Sequence, residues 1–179
     1  MSCFITSGEA LGCSDSIGGI KKVYIVGGAT GEVTGYTYNV DGAITGATSA
    51  SGTTLFGFEL KRNTSSLTQN VTKSYENGTV YFEQVLEVVL FKYDQEKRDK
   101  MKVLAQNDNL QIIAIDQNDV QYLLGQVNKS YLSGGAATSG LALGDRNGFS
   151  LTFTAQEAEP ARVIVGALAS VFTGASIVG

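Results

Sequence analysis

The chain has 179 residues, enough for one domain, and a body of this size buries about 70% of its unfolded surface without disulfides or metals. Charged residues are 17% against 43% hydrophobic, with 22 Gly, one Pro and a net charge of −4. That balance argues against a duplex-DNA reader, which needs Lys or Arg for each phosphate it neutralises, and fits a surface partly covered by partners.

Residues 1–19 carry Gly8, Gly12, Gly18 and Gly19 among small polar residues and predict a Gly-rich N-terminal arm over about 1–20. They lack a charged stretch followed by an apolar run, so no signal peptide is expected. Cys3 and Cys13 are too few for a disulfide framework or a four-thiolate zinc site; they read as free thiols, with a Cys3–Cys13 bridge as the alternative. Strand signal begins at Lys22–Val26. Short strands follow at Val33–Tyr38 and Ala43–Thr45, separated by a turn at Asp41-Gly42. The next strand, 54–62, alternates Phe56, Phe58 and Leu60 with Gly57, Glu59 and Lys61, and Leu67, Gln69 and Val71 suggest another.

Asn77-Gly78 is a turn dipeptide opening the longest predicted strand, Thr79–Tyr93. Val80, Phe82, Leu86, Val88 and Leu90 share one face and Glu83 and Glu87 the other. Val85, Val89 and Phe91 join that second face, so its far half should also be covered. Asp94 is placed to cap a helix over 95–106, with Glu96 in the first turn and Met101, Leu104 and Ala105 as a narrow apolar stripe. Asn107 is the expected left-handed terminator. Strands at 110–115 and 119–124 flank a turn at Asp116–Asp119. A Gly-rich loop, Ser133–Gly148, leads to the clearest alternation, with Phe149, Leu151, Phe153 and Ala155 on one face, closed by Pro160.

Beyond Arg162 no charged side chain occurs. A free, β-prone, uncharged edge in water invites aggregation. Extended, this segment reaches roughly 55 Å, far beyond the radius of gyration of about 16 Å for a domain of this length. It reads as an apolar C-terminal arm over about 161–179 that packs on a neighbouring copy through Val163, Val165, Leu168, Val171, Phe172 and Ile177. The alternatives are a last strand in its own sheet or a C-terminal amphipathic helix.

Chemistry is thinly provided for. Without His, a Ser, Thr or Cys nucleophile lacks its commonest base. Glu83 and Glu87 lie about 13 Å apart along a strand, beyond the ~5–9.5 Å of glycosidase pairs. Asp116 and Asp119 suit a turn. Gly27-Gly28-Ala29-Thr30-Gly31 lacks the Gly-Lys-Ser/Thr ending of a P-loop, and Asn107-Asp108-Asn109 does not supply a calcium loop. No catalytic residue, cofactor or metal site is expected, and no apolar run reaches the ~20 residues of a membrane helix.

Several segments in order carry a resemblance. They are Leu11-Gly12-Cys13 before Gly18-Gly19-Ile20-Lys21-Lys22-Val23-Tyr24, then Glu76-Asn77-Gly78-Thr79-Val80-Tyr81, Leu104-Ala105-Gln106-Asn107 and Tyr122-Leu123-Leu124-Gly125. Ala142-Leu143-Gly144-Asp145-Arg146-Asn147-Gly148-Phe149 follows, running into Leu151–Glu157 and Glu159-Pro160-Ala161. In this order the chain resembles tail-tube and neck-ring proteins of tailed bacteriophages, especially crAss-like and related phages of Bacteroidetes. The resemblance implies a mainly β fold, a sandwich or barrel with one flanking helix near 95–106. It also implies a non-enzymatic virion protein whose homo-oligomeric ring, a hexamer or dodecamer, stacks with portal, neck or tail rings around a channel for DNA ejection. Passive contact with genomic DNA follows, and an acidic lumen suits that role because it repels phosphate. The competing reading is a decoration, fibre or carbohydrate-binding β-sandwich, with Tyr24, Tyr36, Tyr38 and Tyr131 as loose candidates for its binding face.

Overall fold

The computed structural model describes Gly8, Gly12, residues 14–28 and residues 32–179. Cys3, Cys13 and most of the expected N-terminal arm lie outside them. The fold is mainly β, with 52% of the described residues in strands and 9% in helices.

In chain order the elements are β1 (Ile20–Gly28), β2 (Val33–Tyr38), β3 (Ile44–Ser49), β4 (Thr53–Glu59), β5 (Ser66–Ser74), β6 (Thr79–Phe91) and α1 (Gln95–Ala105). Then come β7 (Ile112–Asp116), β8 (Gln121–Leu124), β9 (Ser130–Thr138), β10 (Gly148–Glu157), β11 (Arg162–Ile164), α2 (Leu168–Val171), β12 (Phe172–Thr173) and β13 (Ser176–Val178).

The first four strands form one long bent hairpin. Its register runs from Lys22 opposite Glu59, through Gly28 opposite Thr53, to Val33 opposite Ser49 and Tyr38 opposite Ile44. The tip is the expected Asp41-Gly42 turn. Asn39 Oδ1 accepts from the N–H groups of Asp41 and Ala43, and Gly42 sits at φ +81°, where a side chain is strained.

The hairpin seeds the larger sheet. β7 pairs with β1, β8 with β7, β11 with β8, and β11 runs parallel to β3. Because β3 and β4 are consecutive halves of one bent strand, the ladder β4–β1–β7–β8–β11–β3 returns to its start and curls into a barrel. Tyr24, Val26, Val33, Ile44, Leu55, Ile113, Leu123 and Ile164 fill it. The smaller sheet, in the order β5–β6–β10–β9, lies against the barrel's outer side. Leu86, Val88, Leu90, Phe149, Leu151 and Phe153 from this sheet meet Val23, Ile25, Ile112, Ala114 and Leu124 from the larger one in a second core. β1 and β7 therefore bury both faces, which is why Val23-Tyr24-Ile25-Val26 and Ile112–Ile115 are apolar without alternation.

The C-terminal segment corrects the expectation of an arm reaching for a neighbour. β11 fills the gap between β8 and β3, α2 plugs the barrel, β12 runs parallel to β3 and β13 parallel to β4. Leu168, Val171 and Phe172 are buried within the chain's own barrel core. An uncharged, β-prone strand needs shelter, and the open side of the β3–β4 strand provides it locally.

The helix begins as expected, with Asp94 Oδ1 accepting from the Lys97 N–H at 2.9 Å. The Lys97 ammonium, followed by that bond, holds the Asp94 carboxyl below its ordinary pKa of 3.8. Met101 and Leu104 lean on the core that joins the two sheets, while Ala105 stays exposed. The helix end differs: Gln106 caps it at φ −96°, and Asn107, without turning left-handed, accepts from the Asn109 N–H. Two further differences concern the smaller sheet. Residues 133–138, expected to start the Gly-rich loop, belong to strand β9, with Gly135 opposite Leu151 and Ala137 opposite Phe149. Val80 is exposed, because β10 ends at Glu157 opposite Phe82 and none of the described residues covers the ribbon beyond. The covering expected over the far half of the other face is present, with Val89 buried and the Lys61 ammonium 5.0 Å from the Phe91 ring.

Candidate assembly surfaces

Asp116, Asp119 and Asp145 are engaged in local structure. Asp116 Oδ1 accepts from the N–H groups of Asn118 and Val120, closing the β7–β8 turn in which Asp119 has φ +66°. Asp119 itself pairs with Lys21. Asp145 Oδ2 accepts from the N–H groups of Leu141 and Ala142 at 2.9 and 2.8 Å, which lowers its pKa. Glu83 and Glu87 stand on the outward face of β6, opposite Asn70 and Ser66. Among the described residues no group of three His, Cys, Asp or Glu could hold a metal ion, and no helix is long and apolar enough to cross a membrane.

One carboxylate escaped the sequence. Glu157, just past the visible alternation, is buried and accepts from the N–H groups of Val127 and Asn128 at 2.8 and 2.9 Å. It belongs to a cleft of about 330 Å³ at the barrel end, with Tyr38, Gln84, Gln126 and Arg162. The polar groups of this cleft are spent on one another. Arg162 donates to the Gly42 carbonyl at 2.7 Å, pairs with Glu159 and lies 4.8 Å over the Tyr38 ring. Gln126 donates to the Tyr38 hydroxyl at 2.7 Å. These contacts lock β11 to the tip of the first hairpin.

The tyrosines of the carbohydrate reading do not converge. Tyr24 is buried in the barrel. Tyr36, packed against the same core, is hydrogen-bonded to Gln111, and burial pushes its phenol far above its usual range. Tyr131 stands apart on β9, in the other sheet. Of the six C-terminal residues expected at subunit contacts, Leu168, Val171 and Phe172 face inward, Val163 is half-buried, and only Val165 and Ile177 are exposed.

Exposed bonding capacity lies instead in the smaller sheet. β5 and β9 are its two edges. Beyond Thr68 along β5, and from Ser133 to Ala137 along β9, the edges are exposed, and neither has a ladder partner on its outer side there among the described residues. β9 is bridged outward only at Ser130, by Leu110. β9 has no charge and no Pro and β5 has only Lys73, so of the usual devices that blunt an edge these strands carry that lysine and a register shift of β9 at Ser133. Three antiparallel steps separate the edges, so β5 and β9 run in opposite directions.

The outward face of this sheet is mostly polar, with Tyr81, Val85, Val89 and Phe91 of β6 and Tyr131 of β9 as its large apolar and aromatic members. Ser66, Thr68, Asn70 and Thr72 of β5, and Ser150, Thr152, Thr154 and Gln156 of β10, flank Glu83 and Glu87, the only charges these four strands place on that face. Past Phe82 the β5–β6 ribbon leaves the body as a two-stranded arm carrying Val71, Tyr75, Val80 and Tyr81 exposed. At the other end of the sheet, the β9–β10 loop exposes Leu141 and Leu143 completely. The sequence signals for these features were an uncharged strand at 67–71, apolar residues beside the Asn77-Gly78 turn, and two leucines in a Gly-rich stretch. Comparison with protein-family models, curated proteins and solved structures finds no match.

Proposed function

We propose that the chain is a structural subunit of a bacteriophage tail tube or neck ring, in which copies join edge to edge around a channel for DNA. The observation that carries this reading is the pair of open and oppositely directed edges β5 and β9, whose only charge is Lys73. In a ring of identically oriented copies, β5 of one copy lies antiparallel to β9 of the next, so each four-stranded sheet continues into its neighbour until the barrel closes. Closure removes both edges at once.

The two faces of the sheet suit the same arrangement. Its apolar face is already occupied by the body, so the polar face, with Glu83 and Glu87, lines the bore. Repeated round a ring, these carboxylates make a lumen that repels DNA phosphates and keeps the genome from sticking. The resemblance in ordered segments points to the same role in the virion.

The purified full-length chain is expected to form closed rings with a stain-filled channel under negative-stain electron microscopy. Mass photometry should show multiples of the 18.8 kDa subunit. A species that stays at the subunit mass at every accessible concentration, and is missing from virions, would sink the proposal.

A further inference from the structure

We infer that Leu141 and Leu143 of one copy seat on the apolar side of the β5–β6 arm of a copy in the next ring, so that rings stack head to tail. This rests on the ring reading above and adds the axial joint that it leaves open.

The leucine loop is built rather than slack. Asp145 Oδ2 holds the Leu141 and Ala142 N–H groups, and the Asp145 N–H donates to the Ala142 carbonyl at 3.0 Å. Asn147 ties the loop to the end of β6, its carbonyl and Oδ1 accepting from the Lys92 and Tyr93 N–H groups, each at 3.0 Å. Yet Leu141 and Leu143 are 100% and 110% exposed. Two leucines held outward on a pinned turn contribute nothing to the packing of their own chain, but they form a pre-organised contact for another surface.

The arm supplies the complementary surface. Val71 stands opposite Phe82 and Val80 opposite Lys73, on the side that continues the core-facing row of Leu67 and Leu86. With no β10 beyond Glu157, this row runs on without cover from the described residues, and Val71 and Val80 are 63% and 51% exposed. Lys73 borders the apolar strip, and Asp145 and Arg146 border the leucines.

The occupant is another copy of the chain, for a geometric reason. The loop leaves at the Phe91–Gly148 end of the sheet and the arm at the Ser74–Thr79 end. The 13 residues of β6 separate them, about 40 Å at strand rise, so one copy cannot satisfy itself. Two copies in line bring loop and arm together, and the contact is head-to-tail, which propagates without limit.

The test uses electron microscopy and mass photometry of full-length protein, with thermal unfolding as the control for folding. Wild type should form stacked rings. Leu141→Ser/Leu143→Ser should keep rings and unfolding temperature while multi-ring stacks fall at least about tenfold, and Val71→Thr/Val80→Thr should do the same. Mixing the two variants leaves one intact loop facing one intact arm, so pairs of rings should appear and nothing longer. Stacks undiminished in the leucine variant, wild-type rings that never stack, or a mixture without ring pairs overturns the axial joint while leaving the ring reading standing. A wild-type chain that forms no rings overturns both.

Discussion

A chain ending at Arg162 is expected to lose its cooperative fold. The removed segment supplies Ile164, Leu168, Val171 and Phe172 to the barrel core and pairs with β8, β3 and β4. Burying each such side chain is worth about 1.5–3 kcal/mol, so the four together reach roughly 6–12 kcal/mol. That is comparable to the whole stability of an ordinary domain, about 5–15 kcal/mol. Phe172→Ala alone should cost about 3–5 kcal/mol, the usual range for emptying a sealed aromatic site. Val165→Ala, at an exposed position of the same segment, should stay within about 0.5 kcal/mol. Urea unfolding followed by circular dichroism separates these outcomes. A truncated chain that still unfolds cooperatively, or a Phe172→Ala variant as stable as wild type, would contradict the closure of the barrel by its C-terminal strands.

The second large effect belongs to the edge of β9. In an antiparallel edge strand successive N–H groups point alternately to the neighbour and away. Of Ala136 and Ala137, one therefore donates towards β10 and the other outward. Proline at the outward position removes no bond within the subunit and places a ring where the next copy must pair, whereas proline at the inward position also damages the β10 ladder. One of Ala136→Pro and Ala137→Pro should accordingly keep the wild-type unfolding temperature yet run at the mass of a single subunit. The other should be destabilised as well. If both variants fold and assemble like wild type, β9 is not a subunit junction.

Much of this fold was legible because alternation and turn chemistry are local. The run from Phe149 to Ala155, the row Leu86, Val88 and Leu90, the Asp41-Gly42 tip and the Asp94 cap each announce themselves within a few residues. The C-terminal segment was not legible in the same way. An uncharged strand must be sheltered, but Val163 to Phe172 reads identically whether the shelter is its own β3–β4 strand or a sister copy, and only the register decides. β9 was hidden because Gly134, Gly135, Ala136 and Ala137 carry no side chain long enough to show alternation. Val80 misled for the converse reason: it continues the apolar row of β6 correctly, but the body stops at Phe82. The assembly surfaces were half visible, since the composition already implied covered surface, whereas its location depends on which strands end as edges, a property of the whole sheet.

Amide hydrogen exchange along β5 and β9 reports whether the sheet continues from one copy to the next, measured at dilutions where the chain is a single subunit and at concentrations where it assembles. Every second amide from Thr68 to Ser74 and from Ser133 to Thr138, those turned away from β6 and β10, should exchange rapidly in the dilute protein and become protected on assembly. Assembled particles in which those amides stay as fast as in the free subunit would mean that the copies meet elsewhere and that the sheet does not continue from one to the next.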